Sequence, residues 1–156
     1  MSDVNSPTLL PARMDFASAI GNFLINFGAL DYLILDYVKG NLDSAEFARF
    51  KEKPFKARVN RVTQHFRDSN RSTEVFENLL TRLEPVRELR NHIAHGHLLC
   101  RLDIDTKQWM ASISLPKDLD LAYSAETRHL TFDELRRHLN ELTELVEAFD
   151  RQLNSA

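Results

Sequence analysis

Three long stretches of this chain repeat apolar residues at alternating spacings of three and four. Phe16, Ile20, Phe23, Phe27, Leu30, Ile34 and Tyr37 make the first. Phe76, Leu79, Leu80, Leu83, Val86, Leu89 and Ile93 make the second, and Leu135, Leu139, Leu142, Val146, Phe149 and Leu153 the third. That spacing matches the period of an α-helix, and stripes of this length require burial against other elements. The chain is therefore predicted to be mainly α: an up-down bundle of four to five helices with a small β-hairpin inserted before the last helix. Its 156 residues are one domain's length, and a core of that size needs no disulfide or metal staple. Residues 1–11 hold two prolines and no periodicity, so they are predicted to be a flexible tail, with 12–156 a single helical domain.

Local signals divide this pattern into elements. The first helix is predicted from about Ala12 to Lys39, with Gly40 as its stop. Ala17, Gly21 and Gly28 fall within a narrow arc of it, where another helix, from the same chain or a second protomer, can approach closely. Short helices are predicted over Ser44–Phe50 and from Pro54 to about Arg67. The third major helix starts at Ser72, and Pro85 within it predicts a kink or a restart. Leu98–Asp103 and Gln108–Leu115 read as two strands joined by a turn at Asp105-Thr106-Lys107, and Pro116–Ala125 as loop. Thr131 and Glu134 form a capping box for the last helix, with Leu130 and Leu135 as its hydrophobic staple. The seam of that helix packs on the core or pairs with a second protomer.

Charge is uneven. Between Arg49 and Arg71 stand eight cations (Arg49, Lys51, Lys53, Lys56, Arg58, Arg61, Arg67 and Arg71), opposed only by Glu52 and Asp68. Such a segment suits a polyanion or forms a solvated helix face. One cysteine, Cys100, excludes an intramolecular disulfide. Met1–Arg13 lacks the basic-then-apolar order of a signal peptide, and the apolar run Phe16–Val38 is broken by Asn22, Asn26, Asp31 and Asp36. A cytoplasmic protein with no membrane partner is expected.

The chemistry concentrates at Arg90-Asn91-His92-Ile93-Ala94-His95-Gly96, the end of the third major helix. It joins a permanent cation, an amide and a base whose unperturbed pKa is about 6.5. Gly96 is the expected helix stop, in the left-handed conformation that glycine adopts without steric cost. On a helical wheel Glu84, Arg87, Glu88, Asn91 and His95 share one polar face. Arg90 instead falls beside Val86 and Ile93, at the edge of the apolar stripe, where a guanidinium must be paired or line a cleft. Asp31 is a candidate partner. His92, His95 and His97 do not make a metal site, because His92 points away from His95 and no further ligand cluster is near; no cofactor is expected.

An Arg followed after four residues by a His, with Asn91 directly after the Arg and an Ala-His-Gly ending, resembles the HEPN superfamily of all-α domains. The resemblance centres on residues 72–97. It implies a metal-independent endoribonuclease of toxin–antitoxin or defence type, in which a ribose 2′-OH attacks the adjacent phosphate. Carried over, His95 moves the proton, Arg90 binds the scissile phosphate and Asn91 orients the phosphate or the histidine. It further implies a homodimer with two motifs in one cleft, and an antitoxin or other partner protein. Arg87, Lys53, Lys56, Arg58 and Arg61 are the expected RNA-binding cations. The alternative is a non-catalytic HEPN-like helical dimer that binds a protein, a nucleotide or RNA. In that case the Arg and His need only interact with the last carbonyls of their helix.

Overall fold

A computed structural model describes residues 9–115 and 126–155. Most of the predicted tail and the predicted loop Pro116–Ala125 lie outside these residues. The chain is mainly α: the described residues form five helices, with a small antiparallel sheet inserted before the last. The elements are α1 (Leu9–Asn41), α2 (Ser44–Phe50), α3 (Phe55–Asp68), α4 (Glu74–His95), β1 (His97–Leu102), β2 (Trp109–Leu115), β3 (Glu126–Thr131) and α5 (Phe132–Asn154). They group into two compact units, Met1–Leu24 with Arg87–Asn140 and Ile25–Val86 with Glu141–Ala156.

In the second unit an aromatic chain forms the core. Phe66 meets Tyr37 at 5.5 Å and Phe76 at 4.9 Å between ring centroids, and Phe76 meets Phe149 edge-on at 5.5 Å. Edge and tilted contacts at these distances let positive ring edges meet negative faces. α3 ends in a Schellman motif: Asn70 takes a left-handed φ of 54°, Arg71 N donates to Phe66 O at 2.9 Å and Asn70 N to Arg67 O at 3.1 Å. Arg71 then lies over the Phe66 ring at 4.1 Å and donates to the carbonyls of Gln152 and Ser155 at 2.9 and 2.8 Å. A residue of the basic segment thus satisfies the end of α5.

In the first unit Phe16, Ala19 and Phe23 of α1, Leu89 of α4, Ala111 and Ile113 of β2, Leu130 of β3 and Leu135 of α5 are buried. The sheet order is β1-β2-β3, with Cys100 opposite Ala111 and Ser112 opposite His129. The expected hairpin therefore has a third strand. β3 carries one buried apolar residue, Leu130, so its alternation is too short to stand out, and Leu130 also fits the staple. The turn between β1 and β2 forms as expected: Asp103 accepts from the N–H of Asp105 and Thr106 at 2.9 and 3.0 Å. These backbone bonds, Thr106 first, hold its carboxyl below the usual range.

Three expectations at helix ends and interiors are corrected. Gly40 does not stop α1, which runs through to Asn41, and no described glycine has a positive φ. α4 is one helix with Pro85 inside it, so of the expected kink or restart the restart does not occur. A proline inside a helix costs about 3 kcal/mol, but the buried Leu83, Val86 and Leu89 each return about 1.5–3 kcal/mol by leaving water. A Cβ built on Gly21 or Gly28 meets nothing within 4 Å, so no described element of this chain packs closely there, which leaves a second protomer of the two expected partners. Met14, Leu24, Ile25 and Tyr32 are exposed on the same helix, Ile25 at 69% and Tyr32 at 67%. Met14–Asn41 is long and apolar enough to cross a membrane by length and composition, a threshold the polar interruptions do not prevent. The buried side of this stretch, from Phe16 to Val38, lies against protein.

The capping box forms as predicted. Thr131 N donates to Glu134 Oε2 at 2.8 Å and Glu134 N to Thr131 Oγ1 at 3.2 Å. The bond from the Thr131 backbone is the main reason the Glu134 carboxyl is held below its usual range, against the opposing effect of burial. Its folded-state pKa is depressed, so its stabilisation is present above the unfolded value and is lost as pH falls through the folded one. Glu134→Ala is expected to cost about 1 kcal/mol at neutral pH. Urea unfolding at several pH values checks this, and the gap to wild type should narrow below about pH 4. A gap constant down to pH 3 contradicts the charged cap.

Candidate functional site

The motif occupies the last turns of α4 and the first residue beyond it. Gly96 N donates to His92 O at 2.8 Å, so the backbone keeps a helical turn through the glycine. Gly96 is required for space, not for a left-handed cap. A Cβ there would stand 2.5 Å from His92 O, 2.6 Å from Ile113 Cγ2 and 3.2 Å from Ser114 O. Two of these three obstacles are backbone carbonyls. The end of α4 is therefore pressed onto β2 through a gap only glycine fits, and this fixes where His95 is presented.

Arg90 and Asn91 are half-buried and His95 is exposed. Arg90 Nη1 donates to Asn91 Oδ1 at 3.3 Å. The wheel assigns these neighbours to different faces, but the length of the arginine side chain closes the difference. With Oδ1 held by the guanidinium, Asn91 Nδ2 has no acceptor among the described residues. His95 lies one turn beyond Asn91 and likewise has no hydrogen-bond partner among them. An amide donor and an imidazole thus face the same way, four residues apart. Arg87, one turn earlier, is half-buried. His92 turns back on its own helix, its Nδ1 donating to Glu88 O at 2.7 Å. No cluster of three or more His, Cys, Asp or Glu side chains suited to a metal occurs among the described residues.

Asp31 is taken by a different arginine from the one expected. It pairs with Arg58, which is 8% exposed and also donates to the carbonyls of Lys51 and Lys53 at 3.2 and 2.6 Å. Arg61 makes a two-pronged pair with Glu46, at 3.0 and 3.1 Å, tying α3 to α2. Arg67 pairs with Glu77 at 2.8 Å, and that contact is the chief cause of the lowered Glu77 pKa. These arginines hold α3 in place. Lys53 and Lys56 are exposed, as are Arg49 and Lys51, and none has an ion pair among the described residues. Of the expected RNA-facing cations in this segment, Lys53 and Lys56 are open to solvent while Arg58 and Arg61 are engaged within the fold.

The sheet holds a polar group that spacing did not reveal. Buried Ser112 lies with Oγ 2.9 Å from His129 Nδ1, and Arg101 Nη2 reaches the same nitrogen at 3.3 Å. Ser112 and His129 are seventeen residues apart and meet only because β3 pairs with β2. Comparison of the chain with protein-family models, curated proteins and solved structures gives no match.

Proposed function

We propose that this protein is a HEPN-like, metal-independent endoribonuclease that works as a homodimer and serves as a toxin or defence effector. The observation that carries the reading is the exposed His95, with no hydrogen-bond partner among the described residues, one turn after Asn91, whose carbonyl is held by Arg90. In the proposed reaction His95 takes the proton of the ribose 2′-OH as that oxygen attacks the adjacent phosphorus. The bond from phosphorus to the 5′-oxygen breaks, leaving a 2′,3′-cyclic phosphate and a 5′-hydroxyl. Arg90 and Asn91 Nδ2 donate to the phosphate oxygens as negative charge grows on them. A second histidine, from a second protomer, protonates the leaving oxygen. The open apolar side of α1, with Ile25 and Tyr32 beside Gly21 and Gly28, supports a protomer contact.

Purified protein incubated with RNA in excess EDTA tests this reading, with the new ends mapped chemically and the mass in solution measured by light scattering. Cyclic-phosphate and 5′-hydroxyl ends from a dimer are the expected result. Intact RNA, or ends carrying 3′-hydroxyl and 5′-phosphate, overturns it.

One observation favours the non-catalytic alternative: Arg58 and Arg61 serve the fold, which narrows the basic surface. RNA binding by the remaining cations is tested separately from cleavage. Each cation that neutralises a phosphate of a single strand steepens the fall of log affinity with log salt by about 0.7. Lys53→Ala with Lys56→Ala should therefore flatten that slope by about 1.4 in a filter-binding titration. An unchanged slope removes both lysines from the RNA interface.

A further inference from the structure

The first unit contains a cavity of about 290 Å³ unconnected with the motif's chemistry, between the start of α1, the beginning of β2 and the first turn of α5. Phe16, Trp109 and Phe132 supply its aromatic lining, and Asp15 and Asp133 stand with them. Phe16 is fully buried and meets Phe132 edge-on at 5.4 Å, so the floor is fixed by the core. Trp109 is half-buried. Both aspartates are exposed, and neither has an ion pair or hydrogen bond among the described residues.

These features select the charge of a ligand. The cavity lies at the N-terminus of α5, a place that ordinarily attracts anions. Here the capping box already occupies the N–H groups of Thr131 and Glu134, and Asp133 adds negative charge in the first turn. An incoming anion therefore meets carboxylates. A cation meets two carboxylates and the negative faces of aromatic rings, among which the tryptophan face is the strongest for this purpose. Arg136, whose Cζ lies 5.9 Å from the Phe132 centroid, shows that this ring accepts a guanidinium, yet Arg136 makes no ion pair with Asp133. Ligand pockets commonly span about 300–1,000 Å³, so the volume suits a small group and not a nucleotide.

We propose that this cavity binds a small organic cation, a guanidinium or primary ammonium on a short carbon chain. Its charge is held by Asp15 and Asp133 and its body lies against Trp109. The same chemistry is offered by a free amine and by an arginine side chain of a peptide. The site does not depend on His95 or on RNA cleavage.

Trp109 is the only tryptophan in the chain, so its fluorescence reports directly on the cavity. The full-length protein is titrated with agmatine, with N-acetyl-arginine amide, and with N-acetyl-citrulline amide, which has the arginine shape without its charge. Saturable change with at least one cation, and binding of the citrulline compound at least tenfold weaker, is the expected result. Tighter binding of agmatine identifies a free amine as the ligand class, and tighter binding of the blocked arginine identifies a peptide side chain. Asp15→Asn and Asp133→Asn should each weaken the preferred cation about tenfold, with circular dichroism confirming the fold. Absence of saturation with both cations, equal binding of the citrulline compound, or unchanged affinity in both folded variants overturns the proposal. The charge comparison on the wild-type protein decides the matter even if a variant does not fold.

Discussion

His95→Ala is expected to lower RNA cleavage about 10²–10⁴-fold, the usual contribution of a positioned acid or base. The side chain is exposed and makes no hydrogen bond to the described residues, so its removal opens no cavity and strands no polar group. Surface substitutions of this kind change stability by about 0.5 kcal/mol or less, which is about 2 °C in melting temperature at this size. Loss of activity with an unchanged melt therefore isolates the imidazole's chemistry. The variant should still bind RNA, because the proposed backbone contacts come from Lys53, in the connection between α2 and α3, and Lys56 on α3. Cleavage by His95→Ala at the wild-type rate, from protein of matched purity, removes the histidine from the mechanism.

Gly96→Ala is expected to cost about 3 kcal/mol, at the upper end of the range for overpacking. The new methyl would stand 2.5 Å from His92 O and 3.2 Å from Ser114 O, and backbone carbonyls cannot swing aside as a side-chain tip can. Relief requires the last turn of α4 to open at His92 O and the helix end to move away from β2, so His95 moves with it. Thermal unfolding should show a fall of about 6–12 °C, with cleavage lost well below the unfolding temperature. The other three glycines supply the control. Gly21, Gly28 and Gly40 lie inside α1 with nothing within 4 Å of a built Cβ. Alanine at each should stabilise by about 0.4–1 kcal/mol, because it restricts the unfolded chain more than the folded one. A neutral or stabilising Gly96→Ala contradicts the close approach. A destabilising Gly28→Ala in the dimer would place a second protomer against that arc.

The difference between these glycines shows where reading along the chain stops being informative. Gly40 and Gly96 carry the same local signal, an apolar stripe followed by a residue that permits a left-handed turn. One is passed through by its helix and the other is held by contact with β2, and neither takes the expected conformation. Close approach depends on Ile113 and Ser114, which are remote in sequence. Arg58 and Arg90 make the same point. Both are arginines on helices, and Asp31 suits either one, yet Arg58 takes Asp31 while Arg90 reaches Asn91. Which cation is buried depends on how α3 sits against α1, and helical periodicity does not encode that.

What the chain declares by itself is what depends on neighbours a few residues away. The period of three and four defines the long helices, Thr131 and Glu134 start α5, Asp105-Thr106-Lys107 turn β1 into β2, and Arg90, Asn91 and His95 stand in order at one helix end. Each is a short-range consequence of backbone geometry and local hydrogen bonding. The third strand, the continuity of α4 through Pro85, the burial of Arg58, the meeting of Ser112 with His129, and the cavity beside Trp109 were decided by tertiary structure. They arise where segments distant in sequence are forced together by burial of apolar surface, a non-directional force that is blind to their order along the chain.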